Sequence, residues 1–224
     1  MATSTVENYI KKIYTLQFEQ GAGGNVSMGE LATALEVTPG TATTMVKSLA
    51  KTGLVGYTPR VGVELTGQGK ELALLVLRRH RMVELFLVQV LGMDWHEIHD
   101  EAEALEHVIS DRVLERIDVL LGRPELDPHG DPIPDARGII AERDLVPLSM
   151  CKQGQRARVG RIENQEDAFL KYLEQIELTP GTQLSISQYD KQAGVMTLLF
   201  QSGEIRQLGM EAARKISVEL EGVE

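Results

Sequence analysis

The hydrophobic period of this 224-residue chain changes once along its length, and that change limits what it can fold into. Up to about residue 121, apolar side chains recur at three- and four-residue intervals, the helical period. Beyond residue 150 short runs alternate, the strand period. Between them residues 123–147 hold five prolines, including the run DPHGDPIP, and neither period survives. The expected fold is mainly α with a β-rich C-terminal part, joined by an irregular connector.

The helical part carries finer punctuation. A first helix is expected over 4–20, broken by GAGGN at 21–25. Ser27 caps a second, with Glu30 three residues on in a capping-box pattern. Glu36-Val37-Thr38 turns the chain, and Pro39 suits the first position of a third helix, which stops near Gly53. Two short β-like runs, 54–57 and 61–65, flank Thr58-Pro59-Arg60 as a hairpin. Helix, short turn, helix and hairpin is the order of a winged helix-turn-helix, whose second helix enters the major groove of double-stranded DNA. Its leading residues here are Thr38, Pro39, Gly40, Thr41, Thr43 and Thr44, small or hydroxylated groups that let a backbone approach base edges. Lys47, Lys51 and wing residue Arg60 are candidate phosphate contacts.

The net charge of −10 at first opposes binding to a polyanion, but it is unevenly spread. Residues 1–70 carry six Lys/Arg against five Asp/Glu, residues 71–150 eight against seventeen, and residues 151–224 nine against eleven. The acidity sits in the middle, leaving the N-terminal third free to approach DNA. No apolar run reaches the ~18 residues of a membrane span. Cys151 is the single cysteine, which excludes an internal disulfide, and with no secretory signal visible a cytoplasmic location is expected.

The acidic middle has its own pattern. A long helix is expected over 66–91, a second from the Asp94 cap to about 109, and a third from Ser110 to about 121. On the second, His99, Glu103, Glu106 and His107 share one helical face, and His80 and Glu84 form an i, i+4 pair on the first. Imidazoles interleaved with carboxylates suit a divalent cation. Beyond the connector, strands are expected over 155–162, 183–189, 195–200 and 216–220, with a short helix over 166–175, as in a small barrel.

In this order both constellations resemble the DtxR/MntR family of metal-dependent transcriptional repressors. The likeness is carried by RHRMVELFL (79–87), HDEAEALEHVISD (99–111), PHGDPIP (128–134) and FLKYLEQIELTPGTQL (169–184). It implies a winged helix-turn-helix domain over 1–70, a helical dimerisation and metal-binding domain with its connector over 71–148, and an SH3-like, FeoA-like domain over 149–224. It further implies a homodimer that binds a palindromic operator when charged with metal and represses metal-uptake genes. The primary metal ligands it implies are Asn8, Glu103, Glu106 and His107. Asn8 stands where iron-type members carry Met and manganese-type members Asp; Glu103 stands where they carry Cys and Glu. An all-oxygen set plus one imidazole favours Mn²⁺, with Fe²⁺ the alternative. Lys11 replaces a Glu of the shortest manganese-type members. Two versions of an ancillary site compete: His80, Glu84 and His99, or Glu84 with Asp127 and His129, either taking a further ligand from residues 163–167.

Two rivals stand beside this reading: a winged-helix regulator sensing a small organic effector, and a metalloenzyme. No H-E-x-x-H, Gly-rich phosphate loop or nucleophile with a base supports the latter. Trp95 is expected in the dimerisation core, His96 at the surface and Cys151 as a small buried residue. Leu105, Val108, Val113, Leu114, Ile117, Leu120 and Leu121 are expected in a helical dimer interface or core.

Overall fold

The computed structural model describes residues 3–19, 24–190 and 192–221. The break expected at residues 21–23 lies outside them. The described residues fall into two compact units. The first comprises residues 1–80, 103–114 and 134–139, and the second residues 81–102, 115–133 and 140–224.

The first unit contains α1 (Ser4–Glu19), α2 (Met28–Ala34), α3 (Pro39–Lys51), β1 (Val55–Thr58), β2 (Gly62–Leu65) and the start of α4 (Gly67–Gln89). The expected Ser27 cap holds, and Thr38 caps α3. Ser27 Oγ accepts from Glu30 N at 3.1 Å while Glu30 Oε2 accepts from Ser27 N at 3.0 Å. Thr38 Oγ1 accepts from Thr41 N at 3.2 Å, with Pro39 in the first turn of α3. β1 and β2 pair antiparallel from Val55↔Leu65 to Thr58↔Gly62, and Val26 exchanges both backbone bonds with Val63 at 2.9 Å. Ile10, Ile13, Leu31, Val46, Leu49 and Val63 fill the core between helices and hairpin. Gly69 is required by close approach, since a Cβ there would lie 2.0 Å from the Leu54 carbonyl oxygen. That contact holds the first turn of α4 against the end of the α3–β1 loop.

The second unit contains the end of α4, a six-stranded antiparallel sheet, and α7 (Asp167–Gln175) and α8 (Met210–Arg214). It also holds the first part of α5 (Ile98–Leu105), most of α6 (Asp111–Leu120) and the connector except residues 134–139. The strands are β3 (Val146–Pro147), β4 (Arg156–Ile162), β5 (Gln183–Asp190), β6 (Val195–Phe200), β7 (Ile205–Gly209) and β8 (Ile216–Leu220), in the order β3-β8-β4-β5-β6-β7. Ala157, Val159, Ile162, Leu184, Ile186, Leu198 and Val218 point into one core with Leu170 and Leu173 of α7. The register shift between Val159 and Arg161 is a bulge at Gly160. There the connector comes in close: Gly130, at φ +86°, would place a Cβ 2.1 Å from the Gly160 carbonyl oxygen.

Several expectations need correction. α5 begins at Ile98, not at Asp94, because residues 94–97 form a turn closed by Glu97 N to Asp94 O at 2.9 Å. It also ends at Leu105, so Glu106 and His107 lie in the following turn and do not share a helical face with His99 and Glu103. β3 and α8 are too short to show a period, and β7 (IRQLG) has polar Arg206 and Gln207 side by side where a strand alternates. His96 is buried, with Nδ1 3.5 Å from Glu174 Oε2. Trp95 packs into the core of the β-rich unit and stacks on His129 at 5.7 Å.

Candidate functional site

α3 presents the expected leading residues outward, but their hydroxyls are already engaged. Thr43 Oγ1 donates to Pro39 O at 2.7 Å and Thr44 Oγ1 to Gly40 O at 2.9 Å; Thr38 and Thr41 share a bond at 2.9 Å. What these threonines offer a ligand is therefore methyl surface, acceptor lone pairs and the one hydroxyl proton of the Thr38–Thr41 pair that their shared bond leaves free. Lys47 and Lys51 are exposed along α3. Arg60 is exposed at the hairpin tip and sits in the left-handed region at φ +69°, with Val61 N bonded to Thr58 O.

A charged cluster forms inside the same unit. α1 brings Glu7, Asn8 and Lys11 to one face, α4 brings His80, and the end of α5 and its turn bring Glu103, Glu106 and His107. Ligand atoms of Glu103, Glu106 and His107 lie within 4.8 Å of one another, and Glu106 is fully buried. His107 Nδ1 lies 2.6 Å from Glu7 Oε2, so in the neutral ring Nδ1 carries the proton and donates. His107 Nε2 is then a bare lone pair. It is buried without a hydrogen-bond partner among the described residues, yet Glu106 Oε1 is only 3.4 Å away. A proton on Nε2 or a shared cation would each reconcile the two groups at that distance. Asn8 Oδ1, on α1 between Glu7 and Lys11, is likewise buried without a hydrogen-bond partner among the described residues. The donor set thus fits a divalent ion, with Glu7 fixing the tautomer of the imidazole ligand from behind. Glu7 does not stand out in the sequence; its one visible signal is the i, i+4 pairing with Lys11 astride Asn8.

A second cluster lies in the β-rich unit. Glu84, Asp127 and His129 are all buried, with ligand atoms within 4.8 Å of one another. His129 Nε2 lies 3.1 Å from the Trp95 carbonyl oxygen, to which it donates. Among the described residues its Nδ1 is buried without a hydrogen-bond partner and 4.0 Å from Glu84 Oε2, the same lone-pair arrangement as at His107. Asp127 Oδ1 accepts from the backbone of His129 at 2.8 Å and of Asp131 at 2.9 Å. Burial, then the charges of Asp131 and Glu84, push the Asp127 carboxyl well above the usual carboxylate range, against Arg81 at 3.6 Å. Gln165 Nε2, from the stretch expected to add a ligand, instead donates to Asp131 at 2.7 Å. His99 is half-exposed and 3.5 Å from Glu84 Oε1, while His80 Nδ1 is 2.6 Å from Glu106 Oε2 in the first unit. Of the two ancillary versions, Glu84, Asp127 and His129 converge as one buried set.

Known proteins resemble this chain along most of its length. Residues 1–63 match the family described as iron dependent repressor, N-terminal DNA binding domain. Residues 66–135 match iron dependent repressor, metal binding and dimerisation domain, and residues 146–220 match the FeoA domain. The diphtheria toxin repressor of Corynebacterium efficiens is 36% identical over 146 residues, 65% of this chain and 62% of that protein. The iron-dependent repressor IdeR of Mycobacterium leprae is 36% identical over 130 residues, 58% of this chain and 55% of that protein. The chain thus spans little more than half the length of these relatives. A solved manganese-dependent transcriptional repressor, in complex with manganese, superposes with a TM-score of 0.86 at 38% identity, covering 96% of this chain and 99% of that one.

Proposed function

The chain belongs to the iron-dependent repressor family of metal-dependent transcriptional regulators, which are not enzymes, and from that premise we propose that it is a homodimeric, Mn²⁺-activated repressor of metal-uptake genes. Its reading head is residues 1–70, its dimerisation and metal-binding part residues 71–148, and its FeoA-like part residues 149–224. The metal ligands are Asn8, Glu103, Glu106 and His107 at the primary centre and Glu84, Asp127 and His129 at the ancillary one. The observation that carries this reading is His107, its Nδ1 held by Glu7 and its bare Nε2 turned to the Glu106 carboxylate.

A bound divalent cation supplies the positive charge that lets these lone pairs and carboxylates converge. The residues do the rest. α1 is at once part of the reading head's core, through Ile10 and Ile13, and the carrier of Glu7 and Asn8. Drawing Asn8 toward the turn at Glu106 and His107 therefore fixes α1, and with it α3, in one of the arrangements open to the head. A ligand shifts such an equilibrium only by its differential affinity, typically ~1–3 kcal/mol. In a two-fold dimer two α3 helices must stand about 34–36 Å apart to enter successive major grooves of a palindrome. Val108, Val113 and Leu120 are apolar and exposed on α6 and the turn before it, which supports their burial against a second copy.

Oxygen donors with no thioether or thiolate at the primary centre favour Mn²⁺ over softer ions, with Fe²⁺ the alternative. No helix among the described residues is long and apolar enough to cross a membrane, which accords with the cytoplasmic location we propose. The test is operator binding titrated with Mn²⁺, anaerobic Fe²⁺ and Zn²⁺, with bound metal counted per chain. Metal-dependent affinity that is lost in both Glu103→Ala and His107→Ala is the expected result. Metal-dependent binding that survives both substitutions refutes the ligand set, and binding that ignores metal favours the organic-effector rival.

A further inference from the structure

His96 belongs to neither ligand set proposed above, and neither set accounts for its burial. It is 9% exposed, and its Nδ1 is without a hydrogen-bond partner among the described residues. That atom lies 3.5 Å from Glu174 Oε2, and on the other side of the ring Nε2 lies 3.6 Å from Glu97 Oε1. Asp94, His96 and Glu97 each offer a ligand atom within 4.8 Å of the others. All four residues belong to the β-rich unit, three in the turn before α5 and Glu174 in the last turn of α7.

Three carboxylates around one imidazole call for positive charge. Among the described residues no lysine or arginine pairs with Asp94, Glu97 or Glu174. Glu174 adds to the demand, because the last turn of α7 holds no basic residue and its carbonyl ends are themselves partly negative, a place that favours a cation. The spacing of Nδ1 and Glu174 suits a shared ion. Two ligands of one tetrahedral ion, with bonds of about 2.0–2.2 Å, stand about 3.3–3.5 Å apart.

We propose that Asp94, His96 and Glu174 form a third cation site, which takes a four-coordinate divalent ion of the Zn²⁺ class. Neutral His96 carries its proton on Nε2, on the side of Glu97, and turns bare Nδ1 to the ion. Glu97 thus orients the ring from behind, as Glu7 does for His107, with the two ring nitrogens exchanged. Asp94 and Glu174 line one cleft of the β-rich unit, through which the ion enters and from which water completes its coordination. Zn²⁺ stands above Mn²⁺ in affinity for such donors, so Mn²⁺ is held more weakly there. The bound ion clasps the turn before α5 to the end of α7.

The test is Zn²⁺ binding to the full-length chain carrying His107→Ala and His129→Ala, which take one imidazole from each of the other two centres. Calorimetric titration of this parent is expected to show one Zn²⁺ per chain whose affinity falls at least tenfold on adding His96→Gln or Glu174→Gln. Adding Glu211→Gln, at an exposed acid of α8, is expected to leave it unchanged. Zn²⁺ is also expected to raise the melting temperature of the parent more than that of Glu174→Gln, and equal rises overturn the clasp. The Glu174 side chain is half-exposed, so Glu174→Gln reads the site even where His96→Gln does not fold. If the parent itself does not fold, the otherwise unaltered chain saturated with Zn²⁺ is expected to lose one ion per chain on Glu174→Gln, and an equal count overturns the proposal. No bound Zn²⁺ in a folded parent, or unchanged affinity in folded Glu174→Gln, overturns it and leaves His96 as an imidazolium paired with two carboxylates. Equal losses in Glu174→Gln and Glu211→Gln overturn it as diffuse binding to surface acids.

Discussion

Substituting Glu7 by alanine leaves every proposed ligand in place and removes only what stands behind one of them. Glu7 Oε2 accepts from His107 Nδ1 at 2.6 Å, both side chains are largely buried, and Arg79 NH1 lies 3.6 Å from Glu7 Oε1. A hydrogen bond to a charged group in such a setting contributes ~1.5–3 kcal/mol. Without it the imidazole is free to rotate and to carry its proton on Nε2, the atom needed as a ligand. At ~1.4 kcal/mol per decade the loss corresponds to roughly 10–100-fold weaker metal binding, the range usual for groups that orient a ligand from behind. Glu7→Gln keeps an acceptor without the charge and should fall between wild type and alanine. The assay is calorimetric Mn²⁺ titration in a His129→Ala background, so that the primary centre alone is read. Affinity of Glu7→Ala within twofold of the parent, in a protein that melts normally, would refute the argument that Glu7 sets the tautomer of a metal ligand.

Asp127 predicts a pH signature. Its carboxyl is raised in the folded state, so between the usual carboxylate value and the raised one the folded chain holds a proton that the unfolded chain has released. Metal-free stability should accordingly fall as pH rises through that window, and melting curves of Asp127→Asn should lose this slope. Lys47→Ala and Arg60→Ala should weaken DNA binding evenly across sequences and each lower the logarithmic salt slope by about 0.9 for every phosphate left unneutralised, measured by fluorescence anisotropy at several salt concentrations. Gly130→Ala should lower the melting temperature and ancillary metal binding together, because its φ of +86° and the Gly160 carbonyl at 2.1 Å leave no room for a Cβ in the turn that carries Asp127 and His129. Unchanged melting would show that the turn yields.

What is legible in the sequence is what is decided locally. The capping box at Ser27, the Pro39 start and the hairpin around Pro59 each depend on residues within a few positions of one another, and all are present within a residue or two of the expected places. The end of α5 is not legible in this way: in the turn after it Glu106 is fully buried and bonded to Lys11, 95 residues away, a contact that no helical period records. The same distance hides Glu7, whose partner His107 lies 100 residues on. Asn8, Glu103, Glu106 and His107 are named in the sequence by a family likeness. What the folded chain adds is the lone-pair geometry of His107, the burial of Asn8 Oδ1 and the Lys11 ammonium set between two of the carboxylates. His96 is misplaced by sequence for a plainer reason: a polar residue beside acidic neighbours reads as surface, whereas the fold buries it, with Nδ1 3.5 Å from the half-exposed Glu174 carboxylate of α7.

The central claim is that metal at the primary centre sets the separation of two reading helices. It is tested most directly by spin-labelling Lys51→Cys in a Cys151→Ser background and measuring the distance between the labels of the two protomers with and without Mn²⁺. The account predicts a broad distribution without metal that narrows, on adding Mn²⁺, to one matching helices about 34–36 Å apart. It also predicts that His107→Ala abolishes the narrowing. Identical distributions with and without Mn²⁺ in the wild type would contradict it.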